Sequence, residues 1–197
     1  SRETPPPPGN ANYAWIQHFI YHLNPKGSAG FVLAKGSLSS KQSGEGDIRK
    51  ALIEARLVDC IVSLPNKLFL NTQIPACLWF LSRAKESDPK HPRRDKILFI
   101  DARNIGELIS RKTREFSPED ISEIAKIYRS WKTNDNYEDI PGFCKSASIE
   151  DVAALDYILT PGRYIGLPDD EDDFDFTERI NTLTAELMTQ MSVGLLL

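Results

Sequence analysis

The sequence has no apolar run that approaches the roughly 20 residues a helix needs to cross a bilayer, and its first residues lack the charged-then-apolar order of a signal peptide. Its three cysteines are odd in number and widely spaced, which argues against a disulfide framework. Cysteines inside apolar runs usually behave as small buried hydrophobic residues. We therefore expect a soluble, cytoplasmic protein with no membrane partner, and its 197 residues are enough to bury one sizeable core.

The motifs of several enzyme classes are also absent from the sequence. There is no G-x-S-x-G elbow, no P-loop and no C-x-x-C pair, so hydrolase, kinase-like and zinc-finger functions have no support. His18 and His22 have the i, i+4 spacing that can place two imidazoles on one metal ion. Because neither the Glu of H-E-x-x-H nor a third ligand accompanies them, we expect surface or half-buried histidines and no metal.

Charge is distributed unevenly along the chain. The formal net charge is -4, but residues 169–175 contain six carboxylates, and the rest of the chain has 24 basic residues against the remaining 22 of its 28 acidic ones. Residues 85–114 contain nine basic and five acidic side chains, a local net charge of +4. Such a stretch is typical either of a phosphate-binding surface or of a solvated loop, and the sequence does not distinguish the two.

The first half of the chain has the hydrophobic patterns of an α/β sheet. The spacing of Ile16, Ile20 and Leu23 predicts a helix from Asn12 that ends near residues 24–27. The patterns that follow predict a short buried strand at 29–34, a helix at 47–55, a strand covered on both faces at 57–64, and a further strand at 76–81. This order is that of the second half of a doubly wound α/β sheet, with its last two strands close together in sequence.

The second half of the chain predicts a sheet extension followed by helices. Residues 97–101 have the pattern of another strand, which is expected to extend the same sheet. Ser117, Pro118 and Asp120 are strong signals for the start of a helix whose apolar face includes Trp131. Ser148 predicts a similar short helix, and residues 157–165 a short strand or extended segment. Finally, Ile180, Leu183, Leu187 and Met191 form a narrow stripe suited to packing on another helix.

The segment 36–46 is rich in serine and glycine and precedes a predicted helix, as phosphate-binding loops do. However, Glu45 and Asp47 would repel a phosphate, and the glycine spacing of a dinucleotide-binding turn is absent. We therefore favour a mobile connection over a cofactor loop. Such a connection could become ordered on a partner or on DNA.

Several segments, spread in order along nearly the whole chain, carry a family resemblance. They are NANYAWIQH (10–18), GFVLA (30–34), GSLSS (36–40), SGEG (43–46) with IRK (48–50), LVDCIVSLP (57–65), NTQIPACLWFL (71–81), FCKSA (143–147) and YILTPGRY (157–164). Together they resemble the modification (methyltransferase) subunits of type I restriction-modification systems. The resemblance implies the second half of a doubly wound, Rossmann-like methyltransferase sheet with a C-terminal helical extension.

The resemblance also implies an activity and its partners. The family's intact subunits are S-adenosylmethionine-dependent DNA adenine N6-methyltransferases that work with DNA, a specificity subunit and a restriction subunit. Two motifs define that chemistry, a glycine turn like D-P-x-x-G-S-G for the cofactor and N-P-P-F for the adenine amine, and neither occurs in this chain. In the family both lie upstream of the segment that resembles residues 10–18. We therefore expect a chain that begins inside a longer protein, contains no catalytic or cofactor-binding residue, and is inactive alone.

One site residue follows from the resemblance. In related adenine methyltransferases an aromatic residue in the loop before the penultimate strand stacks on the extruded base, and Phe69 has the matching place here. Lys67 and Asn71 would then be DNA contacts. The alternative is that Phe69 is a core residue under its loop. Cys60 and Trp79 are expected to be core residues.

These predictions divide the chain into functional parts. Residues 1–11 would be a linker from an upstream region, 12–115 the C-terminal part of the methyltransferase α/β domain, 116–168 an α-rich extension, and 169–197 an acidic segment and helix for subunit docking. A second hypothesis of a different class follows from the last part. In it the chain is an assembly module that docks on the specificity subunit through the stripe at 180–191 and has no chemistry of its own.

Overall fold

The computed structural model describes residues 11–70, 72–85 and 93–166. Within them the helices are α1 (Asn12–His22), α2 (Glu45–Glu54), α3 (Pro118–Thr133) and α4 (Ile149–Ala154). The strands are β1 (Ser28–Ala34), β2 (Val58–Ser63), β3 (Ala76–Ser82), β4 (Lys96–Asp101), β5 (Glu107–Leu108), β6 (Arg114–Glu115) and β7 (Cys144–Ser148). The predicted acidic segment 169–175 and the apolar stripe at 180–191 lie outside the described residues.

The main sheet has the strand order β1-β3-β2-β4-β7, and β5 and β6 form a separate hairpin. Strands β2 and β4 are parallel, whereas β3 runs antiparallel to both β1 and β2. Strand β7 runs antiparallel to β4. It follows that β1, β2 and β4 point in the same direction and that their carboxyl ends meet at one edge of the sheet. The predicted α/β class and the predicted extension of the sheet by residues 97–101 are confirmed.

Strand β2 lies at the centre of the core. Every residue from Val58 to Ser63 is buried, because helices cover both faces of the sheet at this point. On one face Ile61 belongs to an apolar cluster shared with α1 and α2, and on the other Val62 belongs to a cluster shared with α3. The prediction of a strand covered on both faces is therefore confirmed.

Strand β1 differs from the prediction of a buried strand. Its residues alternate between exposed and half-buried, and Val32 is 47% exposed. Within the described residues β1 pairs only with β3, so it is an edge strand, and α1 covers only one of its faces by stacking Phe19 on Phe31 at 4.7 Å between ring centroids. On the other face the Phe80 ring lies close over Gly30, where an added Cβ would lie 3.1 Å from the ring and the ring would have to shift by a few tenths of an ångström.

Helices α3 and α4 begin as the sequence predicts. Ser117 Oγ accepts a hydrogen bond from Asp120 N at 3.1 Å, and Asp120 Oδ2 accepts one from Ser117 N at 2.8 Å. The same reciprocal capping box, formed by Ser148 and Asp151, opens α4. At the far end of α3, Trp131 Nε1 donates to Ser146 Oγ at 2.9 Å and joins the helix to β7.

Three segments of the second half differ from the sequence prediction, and one of them is the β5–β6 hairpin, which the sequence did not predict. Strand β7 was not predicted from the sequence at all. Residues 157–165 form turns and a short 3-10 helix at Pro161–Arg163 rather than a strand. Long-range contacts fix them there, because Leu159 N donates to Leu38 O at 2.9 Å and the Tyr164 ring stacks on Phe99.

The described residues include no helix that combines the length and the apolar character required to span a membrane. The proposed division of the chain at residues 115 and 116 stays a prediction.

Candidate functional site

The loops that follow β1, β2 and β4 lie together at the carboxyl edge of these strands. The loop after β1 meets the end of the loop after β2, since Lys35 N donates to Pro75 O at 3.0 Å. The ends of β2 and β4 are joined by a bond from Ala102 N to Ser63 O at 2.9 Å. Open α/β sheets bind their ligands outside the carboxyl ends of parallel strands. A ligand-binding site is therefore expected at this edge of the sheet.

The loop between β2 and β3, which we call the Phe69 turn (residues 66–75), is a compact structure. Lys67 has a left-handed backbone with φ of 64°. Thr72 N donates to Phe69 O at 3.3 Å, and Ile74 N donates to Thr72 Oγ1 at 3.1 Å. These local bonds hold the turn closed, and two of its apolar side chains lie at the surface. Leu70 is 89% exposed and Ile74 is 63% exposed.

Phe69 lies at the surface of this turn. Its side chain is 36% exposed, and it belongs to neither apolar cluster of the core, whereas its neighbour Leu68 packs against the cluster under α3. Lys67 is half-buried on the same turn. Asn71 lies outside the described residues. The structure thus brings Phe69 and Lys67 together at the carboxyl edge, with the Phe69 side chain partly exposed to solvent.

The loop after β1, which we call the serine loop (residues 35–44), is anchored rather than a free connection. It forms two short 3-10 turns in which Ser37 and Leu38 are buried. Tyr13 Oη donates to Ser37 O at 2.7 Å, and Trp79 Nε1 donates to Ser37 Oγ at 3.1 Å. Trp79 and Cys60 are fully buried, which confirms both as core residues.

Arg49 of α2 completes the anchoring and was not singled out from the sequence. Its guanidinium is fully buried and donates to Ser40 O at 2.6 Å, to Tyr157 O at 2.8 Å and to Tyr13 Oη at 3.2 Å. The bonds join α2 to the serine loop, to α1 and to the segment that follows α4. The only sign of this role in the sequence is the position of Arg49, which directly follows the apolar Ile48 in a predicted amphipathic helix.

A groove of about 520 Å³ runs along the serine loop. Its lining residues are Asn12, Ala34, Gly36, Ser37, Ser39, Ser40, Lys41 and Gln42. None of these is aromatic or acidic. The buried Glu45, whose carboxylate oxygens have no hydrogen-bond partner among the described residues, is not part of the lining. S-adenosylmethionine presents an adenine ring, a ribose diol and a cationic centre. The groove therefore does not fit this cofactor, in agreement with the absence of the glycine turn from the sequence.

Two basic side chains at the start of the stretch 85–114 form internal contacts. Lys85 is 3% exposed and donates to Val58 O and Lys96 O, both at 2.7 Å. Burial lowers its pKa to about 8. Arg93 is 8% exposed and lies 3.7 Å from the carboxylate of the buried Asp59. Both groups lie at the amino edge of β2 and β4, opposite the candidate site, so the phosphate-binding interpretation is wrong for these two side chains.

His18 and His22 are exposed neighbours on α1, with their ring centroids 4.4 Å apart. No cluster of three or more His, Cys, Asp or Glu side chains suited to a metal ion occurs among the residues that the structure describes.

Comparison with known proteins places this architecture in a family. The family model for N-6 DNA methylase matches residues 1–173. The methylase subunit of the type I restriction enzyme HindI from Haemophilus influenzae is 50% identical over 188 residues, covering 95% of this chain and 41% of the relative. The MjaIX methylase subunit from Methanocaldococcus jannaschii is 43% identical over 184 residues, which cover 92% of this chain and 32% of the relative. The chain thus spans less than half the length of these relatives.

Solved structures agree with these sequence relatives. The type I restriction-modification methyltransferase subunit from Streptococcus thermophilus superimposes with a TM-score of 0.69 at 31% identity, covering 81% of this chain and 31% of that one. The M protein of the type I enzyme EcoKI has the same fold, with a TM-score of 0.62 at 17% identity. The match covers 91% of this chain and 43% of the EcoKI chain. This chain therefore belongs to the N-6 DNA methylase family, and these relatives are methylase subunits of type I restriction-modification systems.

Proposed function

We propose that this chain works as part of an S-adenosylmethionine-dependent DNA adenine N6-methyltransferase, the modification subunit of a type I restriction-modification complex. The observation that carries the proposal is the exposed Phe69 turn at the carboxyl edge of the sheet in a member of the N-6 DNA methylase family. The described residues supply the back portion of the sheet and one aromatic face at the edge where substrate would bind.

Phe69 would act by stacking on the target adenine. An enzyme that modifies a base inside a duplex must extrude it, at a cost of a few kcal/mol. Stacking of a base on an aromatic side chain contributes about 1–3 kcal/mol and partly offsets that cost. Lys67 on the same turn would contact the DNA backbone, and Asn71 is the second DNA contact that we propose. Phe69 positions the base, and no proton transfer is assigned to it.

Cofactor binding and amine positioning are assigned to residues outside this chain. The glycine turn and N-P-P-F are absent from the sequence, and the groove along the serine loop does not fit S-adenosylmethionine. We therefore propose that the chain alone transfers no methyl group. In the complete complex it would work in the cytoplasm with DNA, a specificity subunit that selects the sequence, and a restriction subunit. Residues 169–197 are proposed as the part that docks on these partners.

The direct test is methyl transfer by the complete complex. The full-length modification subunit, with its specificity subunit, is incubated with duplex DNA and radiolabelled S-adenosylmethionine, and the digested nucleosides are separated. We expect the label in N6-methyladenine and no transfer by the 197-residue chain alone. Label in methylcytosine would contradict adenine specificity, and transfer by the isolated chain, or its tight binding of S-adenosylmethionine, would contradict the placement of the cofactor site.

A further inference from the structure

The β5–β6 hairpin, residues 107–115, projects from the same edge as the Phe69 turn. It follows β4 after the short segment 102–106, and Arg114 N donates to Lys67 O at 2.9 Å. The backbone of the hairpin is therefore bonded directly to the residue two positions before Phe69. A duplex that brought a base to Phe69 would therefore pass close to the base of this hairpin.

The base of the hairpin is held in one geometry. The Arg114 guanidinium turns inward and donates to Ile105 O at 3.1 Å and to Gly106 O at 2.6 Å. Gly106 has φ of 81°, and a Cβ there would lie 2.6 Å from Glu115 O, so only glycine is tolerated. Because the base is fixed by these contacts, the tip has a defined position relative to the Phe69 turn.

The tip of the hairpin carries cations that no other described group neutralises. Arg111 and Lys112 are exposed, and neither side chain has an ion-pair or hydrogen-bond partner in the described part of the chain. Ile109 beside them is 57% exposed. The two carboxylates of the hairpin, Glu107 and Glu115, lie opposite each other at its base rather than at the tip. The tip therefore combines positive charge with apolar surface.

We propose that this tip is a DNA-backbone contact, in which Arg111 and Lys112 bind phosphates that flank the base held by Phe69. The inference rests on the proposed function and adds a second DNA-contacting element to it. When Lys and Arg side chains contact phosphates, they hold a protein in place on the duplex without reading its sequence. A contact of this kind beside the Phe69 turn would fix the duplex while the target base is extruded, and the choice of sequence would remain with the specificity subunit.

The test is the double variant Arg111→Ala with Lys112→Ala in the assembled complex. Each phosphate contact contributes about 0.9 to the slope of log affinity against log salt concentration. We expect DNA binding about tenfold weaker near physiological salt and a slope shallower by about 2, equally for target and non-target duplexes. Lys50→Ala with Lys126→Ala, which removes two exposed cations on α2 and α3, serves as the matched control and should leave both quantities unchanged.

Three other outcomes have distinct meanings. Unchanged affinity and salt slope, with a wild-type complex that binds and methylates DNA, would overturn the inference and leave the proposed function intact. Loss of subunit association with no change in salt slope would overturn it in favour of a protein partner for the tip. A wild-type complex that neither binds nor methylates DNA would overturn the proposed function, and the inference with it.

Discussion

Replacing Phe69 with alanine in the assembled complex should lower the rate of adenine methylation about tenfold to a hundredfold. Removing a stacking face forfeits about 1–3 kcal/mol of base binding, and about 1.4 kcal/mol corresponds to a factor of ten in rate. The side chain is 36% exposed and lies outside both core clusters, so the variant should remain folded and assembled. The measurement is single-turnover methyl transfer, together with thermal unfolding and subunit association.

Two further variants distinguish stacking from a general loss of structure. Phe69→Trp should retain most of the activity, because it preserves an aromatic face. Tyr21→Ala removes an aromatic side chain of α1 that is 71% exposed, and should leave methylation unchanged. Full activity in Phe69→Ala would remove this residue from the site. A loss of activity matched by a loss of subunit association would instead assign it a structural role.

Replacing Arg49 with methionine should lower the free energy of unfolding by about 3 kcal/mol. The substitution leaves Ser40 O and Tyr157 O without their buried hydrogen-bond donor, and each unsatisfied buried group costs about 1–3 kcal/mol. It also frees the serine loop from α2, so the loss should be largest near residues 35–44. Denaturant unfolding measures the total, and amide hydrogen exchange locates the loosened segment.

The neighbouring residue on α2 provides the control for this experiment. Lys50 is exposed and lies 3.8 Å from Glu54 in an i, i+4 pair, so Lys50→Met should change stability by less than about 0.5 kcal/mol. A cost below about 1 kcal/mol for Arg49→Met would show that solvent or other donors replace the guanidinium. That result would contradict the anchoring of the serine loop by this side chain.

The elements best predicted from the sequence are those with strong local signals. The continuous apolar pattern of residues 57–64 predicts β2 because a strand buried on both faces needs apolar side chains in both directions. Ser117 and Ser148 predict the starts of α3 and α4 because their capping boxes are formed by residues three positions apart. Strand β2 is thus predicted by its apolar composition, and the starts of α3 and α4 are predicted by local hydrogen bonds.

The features that the sequence did not predict depend on distant contacts. Arg49 bonds to Tyr157, 108 positions away, and no pattern near either residue shows the pairing. Strand β7 forms because it pairs with β4, and its sequence CKSAS contains none of the β-branched residues that mark a strand. Lys85 and Arg93 look like surface charge in the sequence, yet the fold buries both.

The candidate site also combines features that the sequence predicts with features that depend on distant contacts. Phe69 was found through the resemblance of whole segments to a family, and its place between two strands could be inferred from the order of elements. The bond from Arg114 N to Lys67 O, which brings the hairpin to the Phe69 turn, joins residues 47 positions apart in the numbering and could be seen only in the fold. The basic stretch 85–114 is visible in the sequence, but the placement of its residues 107–115 beside the Phe69 turn is visible only in the structure.

The measurement that tests the central claim most directly is a photo-crosslink from the target base. A duplex with 5-iodouracil in place of the target adenine is bound to the complete complex and irradiated, and the crosslinked peptide is identified by mass spectrometry. The account predicts a crosslink within residues 66–75, at Phe69, that disappears in Phe69→Ala. A crosslink that maps elsewhere and persists in that variant would contradict the placement of the extruded base at this edge of the sheet.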